Sequence, residues 1–79
     1  PPAYPPLSRR LGEQGKVVVR ARIEVNGTAS QAEIRTSSGY SRLDQTAIDT
    51  VLRWRYVPGT RNGTPEAMWF HIPIHFVLE

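Results

Sequence analysis

The 79-residue sequence contains no cysteine, which excludes both a disulfide framework and a thiolate metal site. No apolar run approaches the roughly 18–20 residues of a membrane-spanning helix, and no signal peptide is recognisable. A net charge of +3 is modest. It fits a mild preference for anions, but solubility alone would also explain it. The chain lacks an initiator methionine, so we expect it to be a fragment of a longer protein.

What the chain does have at its start is proline. The stretch PPAYPP favours extended, polyproline-like backbone, and we interpret residues 1–6 as the end of a linker that enters a single domain over residues 7–79. Ser8 is predicted to cap one helical turn over residues 9–11, which Gly12 ends.

A β-hairpin is the strongest local prediction. Residues 16–25 alternate with the period of two that is typical of a half-buried strand. Asn26-Gly27 then predicts a two-residue type I′ turn with Val25 opposite Thr28. The same register gives apolar pairs on one face and an opposite-charge pair on the other: Ala21 with Ala32, Val19 with Ile34, and Arg20 with Glu33.

The main helix is predicted from about Arg42 to about Arg53 or Trp54. It follows Gly39 and begins with a capping-box pattern, in which Asp44 replaces the usual Glu. Its apolar stripe contains Leu43, Ala47, Val51 and Trp54, widened by Ile48 and Leu52, and its polar face contains Arg42, Gln45, Asp49 and Arg53. We therefore assign Trp54 to the core, and pair Asp49 with Arg53 as i,i+4 partners.

The last strand is predicted over residues 67–79, after a loop in which Asn62-Gly63 forms a turn. Its apolar face contains Met68, Phe70, Ile72, Ile74, Phe76 and Leu78. A right-handed crossover places this strand antiparallel beside the first one. The predicted fold is α+β: a three-stranded antiparallel sheet of order 2-1-3, one main helix on one face, and a short N-terminal helical turn (a β-β-α-β core). Pro73 supports an edge position, because it lacks an N–H.

Enzyme chemistry finds no support in the sequence. No Gly-rich phosphate loop, nucleophile elbow or paired-carboxylate spacing is present. His71 and His75 share one face of a strand, but they lie about 13 Å apart along it at about 3.3 Å per residue. We therefore predict no catalytic residue, no cofactor and no metal site.

Two kinds of binding surface remain. Arg20, Arg22 and Arg35 share the exposed face of the hairpin and resemble a phosphate-binding surface, but the hairpin offers no aromatic residue for base stacking. The last strand is a stronger candidate, because it is long, apolar and lacks lysine, and an open edge invites another chain. A peptide added there would gain main-chain hydrogen bonds. A homodimer, or the missing part of the chain, would cover the same edge.

Several motifs resemble the C-terminal domain of TonB, the periplasmic energy transducer of Gram-negative bacteria. They occur in family order over nearly the whole chain: YPP, GKVVVRARIEVNG, SSGYSRLD, AIDTVLRWRYVPG, NGTPE and IPIHFVLE. The resemblance implies an N-terminal inner-membrane anchor that is absent here, a Pro-rich periplasmic spacer, and an inner-membrane proton-driven motor complex. It also implies capture of the TonB box, a short periplasmic segment of outer-membrane receptors for iron complexes, haem or cobalamin.

The resemblance also implies which residues bind the partner. The docking strand would be His71, Ile72, Pro73, Ile74, His75, Phe76, Val77 and Leu78, and the N-terminal contact segment Pro1, Pro2, Ala3, Tyr4 and Pro5. The best-known family members carry glutamine-rich residues in place of Pro1 to Ala3, and a basic residue in place of Leu7. Two alternatives stay open: a homodimeric or scaffold module that uses the same edge, and a basic nucleic-acid binder.

Overall fold

The computed structural model describes residues 2–79. The elements are α1 (Pro6–Leu11), β1 (Gly15–Ile23), β2 (Ala29–Thr36), α2 (Ser41–Arg53), β3 (Thr60–Arg61), β4 (Thr64–Pro65) and β5 (Met68–Phe76). No helix within residues 2–79 is long and apolar enough to cross a membrane.

The main sheet has the strand order β2-β1-β5, and both pairings are antiparallel. The predicted α+β fold of order 2-1-3 is confirmed, as is the main helix α2, which packs on one face of this sheet. The other face is left open, so the residues that alternate away from the helix face solvent. A second, two-stranded sheet, β3-β4, lies in the segment that we predicted to be a loop.

The core lies between α2 and the covered face of the sheet. It contains Val17, Val19, Ala21 and Ile23 of β1, Leu43, Ala47 and Val51 of α2, and Ile74 and Phe76 of β5. The period-two pattern of β1 therefore identified its buried face correctly. Val25 is the exception and is exposed, because β1 ends at Ile23 and Val25 belongs to the turn.

The hairpin turn differs from the prediction, although the register beyond it does not. Gly27 donates its N–H to the carbonyl of Glu24, and Glu24 donates to Thr28, both at 2.9 Å. The loop therefore has three residues, and only Gly27 has a positive φ, of 83°, so the type I′ prediction with Val25 opposite Thr28 is wrong. A bulge at Ser30 then shifts β2 by one residue. The predicted pairs Ala21–Ala32, Arg20–Glu33 and Val19–Ile34 are all present.

The start of α2 lacks the predicted capping box. Tyr40 is the N-cap and makes no side-chain cap hydrogen bond, and Asp44 instead accepts hydrogen bonds from the preceding loop. Its donors are Ser37 Oγ, the Ser38 N–H at 2.9 Å and Ser38 Oγ at 2.7 Å. Burial alone would raise the pKa of Asp44, but these hydrogen bonds outweigh it and hold the pKa below its ordinary value. Asp44 thus orders the loop that connects β2 to α2.

The assignment of Trp54 to the core is wrong. The helix ends at Arg53, and Trp54 is its C-cap in an extended conformation, with φ −67° and ψ 153°. This change of direction turns the side chain away from the apolar stripe and leaves it 36% exposed. Tyr56 packs against the core in its place and donates its hydroxyl to the carbonyl of Val51 at 2.8 Å. Burial raises the pKa of Tyr56.

Two polar side chains of the helices also differ from the prediction. Ser8 does not cap α1, because that helix already begins at Pro6, and Ser8 is fully buried. Its hydroxyl accepts a hydrogen bond from Arg42 Nε at 3.0 Å, so Arg42 is not solely a solvated residue. Asp49 accepts a hydrogen bond from Gln45 at 2.9 Å, where we predicted Arg53 as its partner.

Candidate functional site: the outer edge of the last strand

Strand β5 lies at one side of the main sheet. It pairs with β1 over nine consecutive residues, from Met68 opposite Ile23 to Phe76 opposite Gly15, without a register shift. Within residues 2–79 no strand pairs with its other side. The edge position predicted for this strand is confirmed, although the strand ends at Phe76, so Val77 and Leu78 lie beyond it.

The backbone groups that point outward from β5 follow from the alternation of an antiparallel ladder. Glu24 donates its N–H toward β2, so the even-numbered residues of β1 bond to β2 and the odd-numbered residues bond to β5. The odd-numbered residues of β1 face even-numbered residues of β5. The outward N–H and C=O groups of β5 therefore belong to its odd-numbered residues: Trp69, His71, Pro73 and His75.

Pro73 interrupts this outward row of donors. It has no N–H, so the outer edge offers donors at Trp69, His71 and His75 and a carbonyl acceptor at all four positions. A proline at this place leaves the pairing with β1 intact, because its nitrogen points away from that strand. The outer edge can therefore form a partial but regular ladder with an added strand.

The side chains of β5 divide between the two faces of the sheet. Ile74 and Phe76 are buried under α2, and Ile72 is half-buried beside them. On the open face, His71, Pro73 and His75 are exposed. The predicted docking residues from His71 to Phe76 thus lie in one continuous strand, whose side chains alternate between the core and solvent. Val77 and Leu78 lie beyond this strand. Leu78 donates its backbone N–H to Gln14 Oε1 at 3.1 Å, which holds the residues after β5 near β1.

The predicted N-terminal contact segment meets this strand at one end. The ring of Tyr4 packs edge-on against that of Phe76, with centroids 5.4 Å apart and planes at 85°. Its hydroxyl donates to the carbonyl of Glu13, and the guanidinium of Arg9 lies 5.1 Å from its ring centroid. The structure therefore brings Tyr4 and the docking strand together, while Pro1 lies outside the described residues.

A polar cluster that sequence reasoning missed fixes this N-terminal segment. Arg42 of α2 donates to the buried Ser8 and forms a salt bridge with Glu13 at 3.3 Å, so it joins α1, α2 and the segment before β1. The sequence contains little signal of this cluster, because an arginine that binds residues distant in sequence has the same local pattern as an arginine exposed to solvent. The cluster matters for the site because α1 leads directly from Tyr4.

The open face does not form the surface that base stacking needs. The guanidinium of Arg20 lies 3.8 Å from the ring centroid of Trp69 and pairs with Glu33 at 2.7 Å. One face of the Trp69 ring is therefore covered, and the charge of Arg20 is already compensated within the domain. Among residues 2–79, no group of three or more His, Asp or Glu side chains is placed to hold a metal ion.

Comparison with known proteins finds similarity to one family over nearly the whole chain. The family model "Gram-negative bacterial TonB protein C-terminal" matches residues 1–78. The chain is 39% identical over 77 residues to "Protein tonB2" of Pseudomonas aeruginosa, which covers 98% of this chain and 28% of that protein. It is 35% identical over 78 residues to "Protein TonB" of Vibrio cholerae, covering 99% of this chain and 32% of that protein.

A third relative is "Protein TonB" of Neisseria meningitidis, 46% identical over 80 residues, which covers 98% of this chain and 26% of that protein. The chain thus spans about a third or less of the length of these relatives. No solved structure matches the chain significantly.

Proposed function

Because the chain belongs to the family of Gram-negative bacterial TonB C-terminal domains, we propose that it is the receptor-binding domain of a TonB-type energy transducer. Its partner is the TonB box, a short extended periplasmic segment of an outer-membrane receptor. Capture occurs by β-strand addition. The observation that carries the proposal is the outer edge of β5, which is nine residues long, regular in register and unpaired within residues 2–79.

The rest of the transducer is part of the same proposal. Residues 1–6 form the end of a Pro-rich periplasmic spacer, whose last residue, Pro6, is already the first residue of α1. Residues 7–79 form the receptor-binding domain. An N-terminal helix outside this chain anchors the protein in the inner membrane, where a proton-driven motor complex energises it. The transported nutrient is an iron complex, haem or cobalamin.

Strand addition suits a mechanical role because no covalent chemistry is needed. A peptide paired along β5 shares an applied load among several main-chain hydrogen bonds, whereas a single side-chain contact would carry it alone. Tyr4 contacts Phe76 at the end of the same strand. A pull that arrives through the spacer therefore reaches the peptide-bearing strand directly, and not only through the rest of the sheet.

Backbone methylation of a bound peptide tests the proposal. An ¹⁵N-labelled domain is titrated with a peptide from the periplasmic N-terminus of a TonB-dependent receptor, and the amides of Trp69, His71 and His75 are expected to shift most. A matched pair of peptides is then methylated on backbone nitrogens of alternate parity. Methylation on the side that faces β5 should weaken binding at least about tenfold, because it removes the N–H donors, whereas methylation on the other side should not.

Equal binding of both methylated peptides, or the absence of any binding, would contradict strand addition. The same edge also suits a second copy of the domain, which is the alternative function. Size-exclusion chromatography with light scattering, with and without peptide, separates the two. A dimer that the peptide cannot dissociate would favour a homodimeric module.

A further inference from the structure

An apolar groove opens beside the outer edge of β5, on the side of the sheet that carries α2. It has a volume of about 320 Å³, within the size range of small-ligand sites. Its walls are formed by β1, by the segment that follows α2 and by the centre of β5: Ile23, Tyr56, Val57, Phe70, His71, Ile72 and Pro73. The groove is thus continuous with the backbone groups to which an added strand would bond.

The chemistry of the groove favours an aliphatic occupant. Four apolar residues line the groove besides Pro73, whose side chain faces the open side of the sheet: Ile23, Val57, Phe70 and Ile72. The Tyr56 hydroxyl is already donated to the carbonyl of Val51. Two of the apolar side chains are exposed: Val57 at 93% and Phe70 at 38%. Covering them would remove apolar surface from water, which is favourable in proportion to the area buried. No carboxylate, lysine or arginine lines the groove to compensate a charged ligand.

The register of the sheet selects which residue of a bound peptide reaches the groove. Side chains of neighbouring strands that lie opposite each other project to the same face. Phe70 and Ile72 both project to the face that α2 covers, so peptide residues opposite them project there too. We place the residue opposite Ile72 in the groove, because both neighbours of Ile72, His71 and Pro73, also line it. Its two neighbours in the peptide project to the open face, beside His71 and Pro73.

We propose that this groove is the specificity pocket of the edge, and that it receives one valine-, isoleucine- or leucine-sized side chain of the added strand. The inference rests on the proposed function, because it needs a peptide paired with β5. It goes beyond that function by assigning one register position at which side-chain identity decides affinity. Elsewhere along the edge, main-chain pairing tolerates different side chains.

The test combines a peptide scan with one charged substitution. The probe is the receptor-derived peptide of the titration above, with each central residue changed in turn to alanine. One position on the helix side should dominate the scan, with a loss of about tenfold in affinity for an aliphatic residue that was fully buried. A nuclear Overhauser contact between that side chain and Ile72 assigns its register.

Val57→Asp places a carboxylate in the wall of the groove. It should lower the affinity for the native peptide by about tenfold or more, because the peptide's aliphatic side chain would bury that charge. The matched control is Val25→Asp, an exposed valine in the hairpin turn that does not line the groove, and it should bind like wild type. A peptide with lysine at the dominant position should bind Val57→Asp better than it binds wild type. A general loss of folding cannot produce this reversal.

Each outcome separates the groove from strand addition. Sensitivity to backbone methylation with a flat alanine scan and equal binding by both aspartate variants overturns the pocket and leaves strand addition standing. Insensitivity to methylation, or no binding, overturns both. If Val57→Asp changes the mass seen by light scattering but not the peptide affinity, the groove belongs to a contact between copies of the domain, and the proposal is wrong.

Discussion

The two outer strands of the main sheet, β2 and β5, differ in almost every property that governs strand addition. Strand β2 carries two register shifts against β1, which leave Ser30 and Arg35 as extra residues, and none of its side chains is buried. Strand β5 has none of these irregularities and contributes Ile74 and Phe76 to the core. Bulges twist an edge away from flat pairing, so we expect β2 to be the protected edge and β5 the edge that accepts an added strand.

Regularity, as well as exposure, makes an edge receptive. Both strands expose one row of backbone groups, yet only β5 combines an unbroken register with an adjacent apolar groove. Its one protecting feature is Pro73, which removes a single donor. Strand β2, with Glu33 and Arg35 among its exposed residues, has charges and bulges together.

The largest expected effect sharpens the contrast in how the two edges are anchored. Phe76→Ala should lower the free energy of unfolding by about 3–5 kcal/mol, because Phe76 is fully packed and contacts Tyr4. Ile34→Ala on β2 should cost about 1 kcal/mol or less, because that side chain is 38% exposed. Urea unfolding measures both.

If Phe76→Ala does not fold, Ile74→Val reports the same strand with a smaller loss of about 0.5–1.5 kcal/mol. Equal losses at Ile34 and Phe76 would contradict the view that β5 is anchored by fully buried side chains, whereas β2 packs only half-buried residues, Ala29 and Ala32, against the core.

The second prediction concerns the turn that leads into β2. A Cβ at Gly27 would lie 2.5 Å from the carbonyl oxygen of Tyr56, and Gly27 has a φ of +83°. Gly27→Ala should therefore lower the free energy of unfolding by about 2–3 kcal/mol. Gly63 has a similar φ of +79° in the β3–β4 turn, but no atom lies within 4 Å of the position that a Cβ would occupy there. Gly63→Ala should therefore cost only about 1 kcal/mol.

Thermal and urea unfolding of this glycine pair separate backbone strain from close approach. A similar loss at both positions would mean that the contact between Gly27 and Tyr56 adds nothing, and that the bulged start of β2 does not depend on it.

The same pair of turns shows how far the sequence predicted the fold. Asn62-Gly63 forms a two-residue turn with positive φ at both residues, as type I′ geometry requires. Asn26-Gly27 does not, because the chain after α2 pairs with this turn: Tyr56 donates its N–H to the carbonyl of Gly27, and Thr28 bridges Arg55. A contact between residues so distant in sequence has no local signal.

The candidate site likewise has one part that the sequence predicted and one part that it did not. The edge position of β5 followed from period-two alternation, from handedness and from Pro73, all of which are local or general rules. The groove did not, because Val57 and Tyr56 reach it only after Trp54 turns the chain out of α2. The Ser8–Arg42 hydrogen bond was missed for the same reason: it joins residues 34 positions apart.

The third prediction concerns a substitution that removes Pro73, the one protecting feature of β5. Pro73→Val restores an outward N–H, so the affinity for a receptor peptide should rise about two- to tenfold, as one additional net hydrogen bond allows. The tendency to dimerise through the same edge should rise as well. Pro65→Val in β4 is the matched control, because it also replaces an exposed strand proline but lies outside the edge.

NMR titration measures the peptide affinity, and light scattering measures the fraction of dimer. Thermal unfolding measures the stability lost when proline rigidity is removed, a loss that both variants share. An unchanged affinity in Pro73→Val would mean that the added strand does not bond at that position of the edge.

The smallest expected effect tests whether charge holds the protected edge in place. Arg20 pairs with Glu33 across β1 and β2, but the two side chains are 38% and 59% exposed, so solvent screens their attraction. Glu33→Gln should lower the free energy of unfolding by only about 0.2–1 kcal/mol, and the difference from wild type should shrink as salt is added. A double-mutant cycle with Arg20→Gln isolates the pair, because Arg20 also stacks on Trp69. A coupling energy well above this range, or one that salt leaves unchanged, would show that the ion pair holds β2 against β1 more strongly than solvent screening allows.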